Sequence, residues 1–355
     1  MLTQKIQIKT EDGNEVEALA PVIISASRST DIPAFHSDWF LNRLKAKYCI
    51  WTNPFNQKRL YISFKNTRAI VFWTKNPRPL MDRLDELDKL GIPYYFQYTL
   101  NDYTQENFEP NLKSLDKRID DFIALSKRIG AGRVVWRFDP IILAPSITPR
   151  DILMRIWNIG NKLKPYTKKL VFSFVDVAAY RKVQNNLKKN ELFSGSDIFQ
   201  AEANTSQITE ICEGLIKIRN RWIEQGFDIK MATCCENVDL SRFDIEQNRC
   251  IDDVLLRNEF PNDTKLIDFL NYKIESPLQN DLFSASPSIP IYEHNKNLKD
   301  KGQRKSCGCI ASKDIGSYNT CAHFCTYCYA NTSVEVVKKN LKKINANSPS
   351  LLPIE

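Results

Sequence analysis

Cys321-Ala-His-Phe-Cys325-Thr-Tyr-Cys328-Tyr-Ala-Asn331, close to the end of the chain, is the stretch on which the fold turns. With Cys307-Gly-Cys309 just upstream, it holds five of the ten cysteines. The spacing C-x3-C-x2-C lets a tight loop aim three thiols at one point. Most cluster sites use four cysteines; three thiolates on a [4Fe–4S] cube leave one iron open to a ligand that is not cysteine. The competing reading is a zinc knuckle built from the same three thiols with His323 or Cys309. Zinc sites more often pair two cysteines with a second, distant pair.

Working outward, 355 residues are long for one ordinary domain but within the range of an α/β barrel with additions. At 43% hydrophobic and 26% charged residues the chain has the composition of a globular protein with a proper core, not of a disordered one. A net charge of +8 is modest for this size, and the pairs Lys338-Lys339 and Lys342-Lys343 read first as the solvated face of a helix. No apolar run approaches the roughly 20 residues that span a bilayer, and residues 1–8 lack the apolar core of a signal peptide. Clustered cysteines without such a signal point to a reducing compartment, where thiols serve metals or catalysis. The expected location is the cytoplasm.

Residues 1–20 read as a hairpin extension, alternating on either side of a turn at 11–14. From Pro21 short apolar strands alternate with helical stretches. The strands are expected at 22–26, 48–51, 69–73, 94–98, 134–138, 170–174 and 229–233. The helices are expected at 37–47, 79–90, 117–129, 149–163 and 206–225. Such alternation predicts an α/β fold, a parallel sheet covered by helices. With six or seven units and no Gly-rich dinucleotide loop, a full or partial (β/α) barrel suits the pattern better than a doubly wound sheet. Residues 21–275 form this core. Residues 276–310 are the linker with its Cys-Gly-Cys metal-site segment, rich in Pro, Ser, Asn and Lys up to 306. Residues 311–346 carry the cluster loop and an amphipathic closing helix, and 347–355 a tail.

Polar residues follow most of these strands: Arg28 and Asp31, Lys75, Asp139-Pro140, Asp176, and Cys234 with Cys235 and Glu236. Barrels build their sites at these strand ends, although Asp-Pro and Asn-Pro also simply stop strands. Cys234, Cys250, Cys307 and Cys309 make a second set of four thiols, fit for a second iron–sulfur cluster or for zinc. Cys49 and Cys212 read as small core residues.

The C-x3-C-x2-C loop followed by an aromatic residue, Tyr329, resembles the cluster loop of radical S-adenosylmethionine (SAM) enzymes. That resemblance implies a [4Fe–4S] cluster whose open iron takes SAM, a 5′-deoxyadenosyl radical, and an electron donor such as a flavodoxin or ferredoxin. It also implies a radical-SAM barrel. Here the opening β–loop–α unit, from Ile315 onward, would stand at the C-terminus by circular permutation. SAM contacts would come from Tyr329 and Asn331 beside the loop, from Lys75, Arg28 or Arg137 toward the carboxylate, and from Asp139 or Asp176 toward the ammonium or ribose. The Gly-Gly-Glu-like stretch common in that superfamily is missing, since the chain has no Gly-Gly pair.

Several phrases together resemble one bacterial and archaeal family known only as domain of unknown function 1848. They are residues 25–35, Asn53-Pro-Phe-Asn56, Phe72-Trp-Thr-Lys-Asn-Pro77, Val135-Trp-Arg-Phe-Asp-Pro140, Cys307-Gly-Cys309 and residues 314–321. The likeness spans about residues 21–331 and implies a fold and a cluster, with no assigned reaction. Two alternatives stand beside catalysis on an unknown substrate. One is a non-catalytic iron–sulfur or zinc protein for redox sensing, electron transfer or partner binding. The other is an enzyme that modifies nucleic acid, motivated by the positive charge and a distant echo of the spore photoproduct lyase branch in Lys75 and Arg137.

Overall fold

The computed structural model describes residues 3–234, 236, 238–270 and 296–353. Cys235 and the linker stretch 276–295 lie outside the described residues. Twelve strands are described: β1 Thr3–Lys9, β2 Glu15–Pro21, β3 Ile23–Ala26, β4 Tyr48–Thr52, β5 Arg59–Ser63, β6 Ala69–Thr74, β7 Tyr94–Thr99, β8 Val134–Ile141, β9 Lys169–Phe174, β10 Lys230–Thr233, β11 Glu246–Gln247 and β12 Lys313–Asp314.

Eight of them form one sheet in the order β12-β3-β6-β7-β8-β9-β10-β11, with every neighbouring pair parallel. The fold is therefore α/β, as the alternation of strands and helices predicts. The edge strands β11 and β12 do not pair with one another among the described residues. Because the strands run the same way, all their C-terminal ends lie along one edge. The loop bearing Cys321, Cys325 and Cys328 leaves β12 on that edge, which also carries Lys75 after β6 and Cys234 after β10.

The strand at Tyr48 needs a correction. It belongs to a separate four-stranded sheet, β1-β2-β5-β4. There β4 runs antiparallel to β5, and β5 lies parallel to β2 of the N-terminal hairpin. Strand β8 likewise continues through Asp139-Pro140 to Ile141, past the point where the sequence suggests a stop, with a register shift against β9 between Phe138 and Ile141.

The central strands are buried on both faces, the usual state of a parallel sheet covered by helices. Their aromatic side chains carry much of the core: Phe72 stacks on Phe96 at 4.9 Å and meets Phe40 edge-on at 5.3 Å. Each such fully buried ring contributes about 1.5–3 kcal/mol of apolar transfer. Helix Pro149–Leu163 begins where Thr148 caps it, Asp151 reciprocates, and Pro149 supplies a preset φ at the first turn. Helix Thr205–Glu224 starts with the same device from Asn204 and Gln207. The stretch read as one helix over 79–90 is two, Arg78–Met81 and Leu84–Leu90, and the second ends at Gly91 in the left-handed conformation. Among the described residues no helix is long and apolar enough to cross a membrane.

Candidate metal centres at the sheet's C-terminal edge

The cluster loop is fixed from within and from below. Asn331 donates from its side-chain amide to the Cys321 carbonyl at 2.7 Å, and its backbone N–H points at the Cys328 sulfur at 3.3 Å. Cys328 N–H donates to the Cys325 carbonyl at 3.0 Å, and Thr326 N–H to Phe108 O at 2.8 Å. Phe324 adopts φ +54°, which turns the chain back between the first and second cysteines. His323 Nε2 donates to Asp31 at 2.7 Å, and Asp31 also accepts from the backbone N–H of Lys75 at 2.7 Å and of Ala34 at 3.0 Å. One carboxylate thereby ties the cluster loop to the segment after β3 and to the end of β6. His323 Nε2 is engaged by this contact and does not serve the three thiols, while its buried Nδ1 has no hydrogen-bond partner among the described residues.

Beneath Cys325 lies a buried polar knot. Lys75 Nζ contacts Glu109 at 2.8 Å and the Tyr327 hydroxyl at 2.7 Å. Tyr327 also donates to Glu109, while Asn101 and Arg118 complete the carboxylate's shell. Burial works against the Lys75 ammonium, but the Glu109 carboxylate and the adjacent Cys325 more than offset it and hold its pKa above the usual lysine range. Glu109 is correspondingly held below its usual value despite burial, by Lys75 and Arg118.

The three thiols are pushed up mainly by burial. Cys325 rises to about 12, and Cys321 and Cys328 also move upward. Cys321 faces the charge of Cys325 and Cys328, and Cys325 that of Glu109 and Cys328. Such thiols ionise when a cation takes the proton's place, and a set of three sulfur donors suits iron–sulfur clusters or zinc rather than hard cations. A single zinc ion at ~2.3 Å from each sulfur requires thiolates about 3.8 Å apart. Among the described residues no three His, Cys, Asp or Glu side chains are grouped so as to hold one metal ion. Three sulfur donors are compatible with an iron–sulfur cluster or with zinc completed by a further ligand.

The second set of cysteines also meets in space. Cys234 and Cys250 sulfurs are 3.4 Å apart, and Cys309 Sγ accepts from the backbone N–H of Cys250 at 3.2 Å and of Ile251 at 3.4 Å. Cys307 lies against Cys309. The Cys250 thiol is driven well below its usual range by hydrogen bonds from Cys234 and Cys309, with Arg137 and Arg28 adding positive charge. Arg137 donates to the Cys250 sulfur at 3.1 Å and to Gln97 Oε1 at 3.2 Å, and pairs with Asp139 through Nε at 3.0 Å. Cys49 and Cys212 are buried elsewhere in the core.

The predicted SAM contacts thus divide. Lys75, Tyr329 and Asn331 adjoin the three-cysteine loop. Tyr329 donates to the Arg28 carbonyl at 2.6 Å. Arg137 sits against Cys250 of the second set, while Arg28 and Asp139 stand between the two sets. The Arg28 guanidinium faces Cys250 and Cys309, and Asp139 pairs with Arg137 while Asn101 of the Lys75–Glu109 knot holds its backbone. Asp176 caps the turn after β9 by accepting from Ala179 N–H at 3.0 Å, with Arg304 at 3.4 Å. Sequence reasoning missed Tyr327 and Glu109. Tyr327 was findable, since it lies between two of the cysteines, whereas Glu109 comes from an irregular segment with no signal tying it to Lys75.

A parallel α/β sheet with two groups of thiols on its C-terminal edge defines the class: an α/β protein with candidate metal centres. The chain belongs to the family described as Domain of unknown function (DUF1848), whose model matches residues 23–330. A search of the curated proteins finds no match.

Proposed function

We propose that this chain is a radical-SAM enzyme acting on an as yet unidentified substrate. The observation that carries the reading is the loop itself: three buried thiols in C-x3-C-x2-C spacing, leaving the C-terminal end of a parallel strand and braced by Asn331. The sheet order supports a partial barrel whose opening unit stands last, because β12, which leads into the loop and helix, pairs with β3 as a first strand would. A closed or nearly closed barrel tolerates such a permutation when its ends are close.

When bound, a [4Fe–4S] cluster with an open iron would supply the electron that cleaves SAM to methionine and a 5′-deoxyadenosyl radical. Cys321, Cys325 and Cys328 would hold it. Lys75 places a positive charge under Cys325 and offsets the thiolates' negative charge, and Asp31 and His323 fix the loop's position. Tyr329 and Asn331 flank the place where SAM would lie. Cys234, Cys250, Cys307 and Cys309 would hold a second cluster or zinc, with Arg28 and Arg137 balancing its charge. The reaction would draw electrons from a flavodoxin- or ferredoxin-like donor in a reducing cytoplasm.

The test is reductive SAM cleavage by the anaerobically reconstituted protein, read as 5′-deoxyadenosine. Cys325→Ala should abolish it with the melting temperature nearly unchanged. Cleavage by that variant at the wild-type rate would overturn the reading.

A further inference from the structure

A cavity of about 910 Å³ opens where the turn after β4 faces β12 and the cluster loop. Three cations line it: Arg28, Lys182 and Lys313. None makes an ion pair with a carboxylate among the described residues. Instead Lys313 Nζ lies 3.0 Å over the Trp51 ring, Lys182 Nζ lies 5.6 Å over Tyr318, and the Arg28 guanidinium lies 5.1 Å over Trp73. The ring faces hold the cations in place, and Lys182 Nζ also donates to the Ala330 carbonyl at 3.5 Å.

The two carboxylates on the wall, Asp314 and Asp300, act on Arg28, and Asp314 on Lys313, from a distance without forming an ion pair with any of the three cations. Asp314 is engaged by Ser25 and Ser27 hydroxyls at 2.7 and 2.8 Å and by the backbone N–H of Arg28 and Gly316 at 2.8 and 2.9 Å. Asp300 accepts from Gly302 N–H at 2.9 Å. Three buried polar atoms on this same wall, Arg28 Nη2, Thr52 Oγ1 and Ser312 Oγ, have no hydrogen-bond partner among the described residues. A buried donor left unsatisfied costs about 1–3 kcal/mol, and the three atoms belong to residues that line one cavity.

We propose that this cavity binds a phosphate group. The group's several acceptor oxygens and multiple negative charge match one guanidinium, two ammonium groups and two hydroxyls, and a guanidinium binds such oxygens with good geometry. The cavity lies between the cluster loop, through Tyr329, and the second set of thiols, whose charge reaches Arg28. A phosphorylated molecule held there would be the enzyme's substrate; that last step rests on the radical-SAM reading, whereas the binding does not. The phosphate could come from a free phosphate monoester or from a nucleic-acid strand.

The experiment is calorimetric titration of the anaerobically purified full chain at low salt with adenosine 5′-monophosphate, adenosine and a single-stranded decanucleotide. The monophosphate should bind at least tenfold more tightly than adenosine. Lys313→Gln and Lys182→Gln should each weaken it tenfold or more, Arg28→Gln further still, and Lys338→Gln on the exposed closing helix should change nothing. Tighter binding of the decanucleotide would assign the phosphate to a strand, and preference for the monophosphate to a free metabolite; either outcome supports the site. Equal affinity for adenosine, unchanged affinity in both lysine variants, or stoichiometric displacement by SAM would overturn it. The readout is binding, so loss of SAM cleavage alone leaves it standing.

Discussion

The Asp31 carboxylate receives the His323 imidazole N–H at 2.7 Å across most of the chain's length, joining the cluster loop to the segment after β3. Both side chains are buried, and Asp31 keeps two backbone donors, on Ala34 and Lys75. His323→Ala should therefore loosen the loop without unfolding the sheet, at a cost of about 1–3 kcal/mol. Thermal melting would register this as a drop of about 1–4 °C, and iron retained after desalting should fall. An unchanged melt would show that the contact does not hold the loop.

Lys75 and Glu109 form a buried pair, and removing one partner strands the other. Lys75→Met should cost about 3–5 kcal/mol in chemical denaturation. Lys75→Met combined with Glu109→Gln should be clearly less damaging than the two single losses summed, because the pair is coupled. Simple additivity would mean that the two groups do not depend on each other.

Gly316 packs against Ser27 and Ser29, the hydroxyl side chains beside Asp314, so closely that a Cβ there would occupy their space. Gly316→Ala should cost about 1–3 kcal/mol by overpacking and should weaken nucleotide binding, since it displaces the cavity wall. A fully stable variant with unchanged binding would contradict the packing.

Lys313 is shifted down to about 8, chiefly because burial disfavours its charge, with Asp314 and Cys49 opposing. The folded chain therefore sheds this proton near pH 8 while the unfolded chain keeps it until its ordinary range near 10.5. The unfolded state binds more protons in that window, so this group's contribution to stability rises with pH between those values. In the absence of ligand Lys313→Met should melt about 2–4 °C higher than wild type at pH 7, and the gap should close by pH 10. A gap that is constant with pH would contradict the assignment.

Much of the fold was legible where local signals agree with tertiary context. Pro149 at a first turn and a 3.6-residue apolar period mark helix Pro149–Leu163 to the residue. The break at Asp82-Arg83 was hidden because the apolar period of 79–90 continues across it. Nor does any local pattern say which of two sheets a short strand such as β4 joins; that is decided by β5, whose weak alternation carries no signal. That Cys234, Cys250, Cys307 and Cys309 adjoin one another was readable from the cysteines left over once the loop's three are set aside. The different places of Lys75 and Arg137 were not, because Lys75 follows its strand and Arg137 lies within β8, both toward one edge, and only the strand order places Lys75 under Cys325 and Arg137 against Cys250.

The most direct test of the central claim is electron paramagnetic resonance of the anaerobically reconstituted, reduced protein with and without SAM, beside an iron and zinc count. The account predicts iron in cluster stoichiometry and a [4Fe–4S]⁺ signal that shifts when SAM is added. A cluster signal indifferent to SAM, or zinc with no iron, would contradict it.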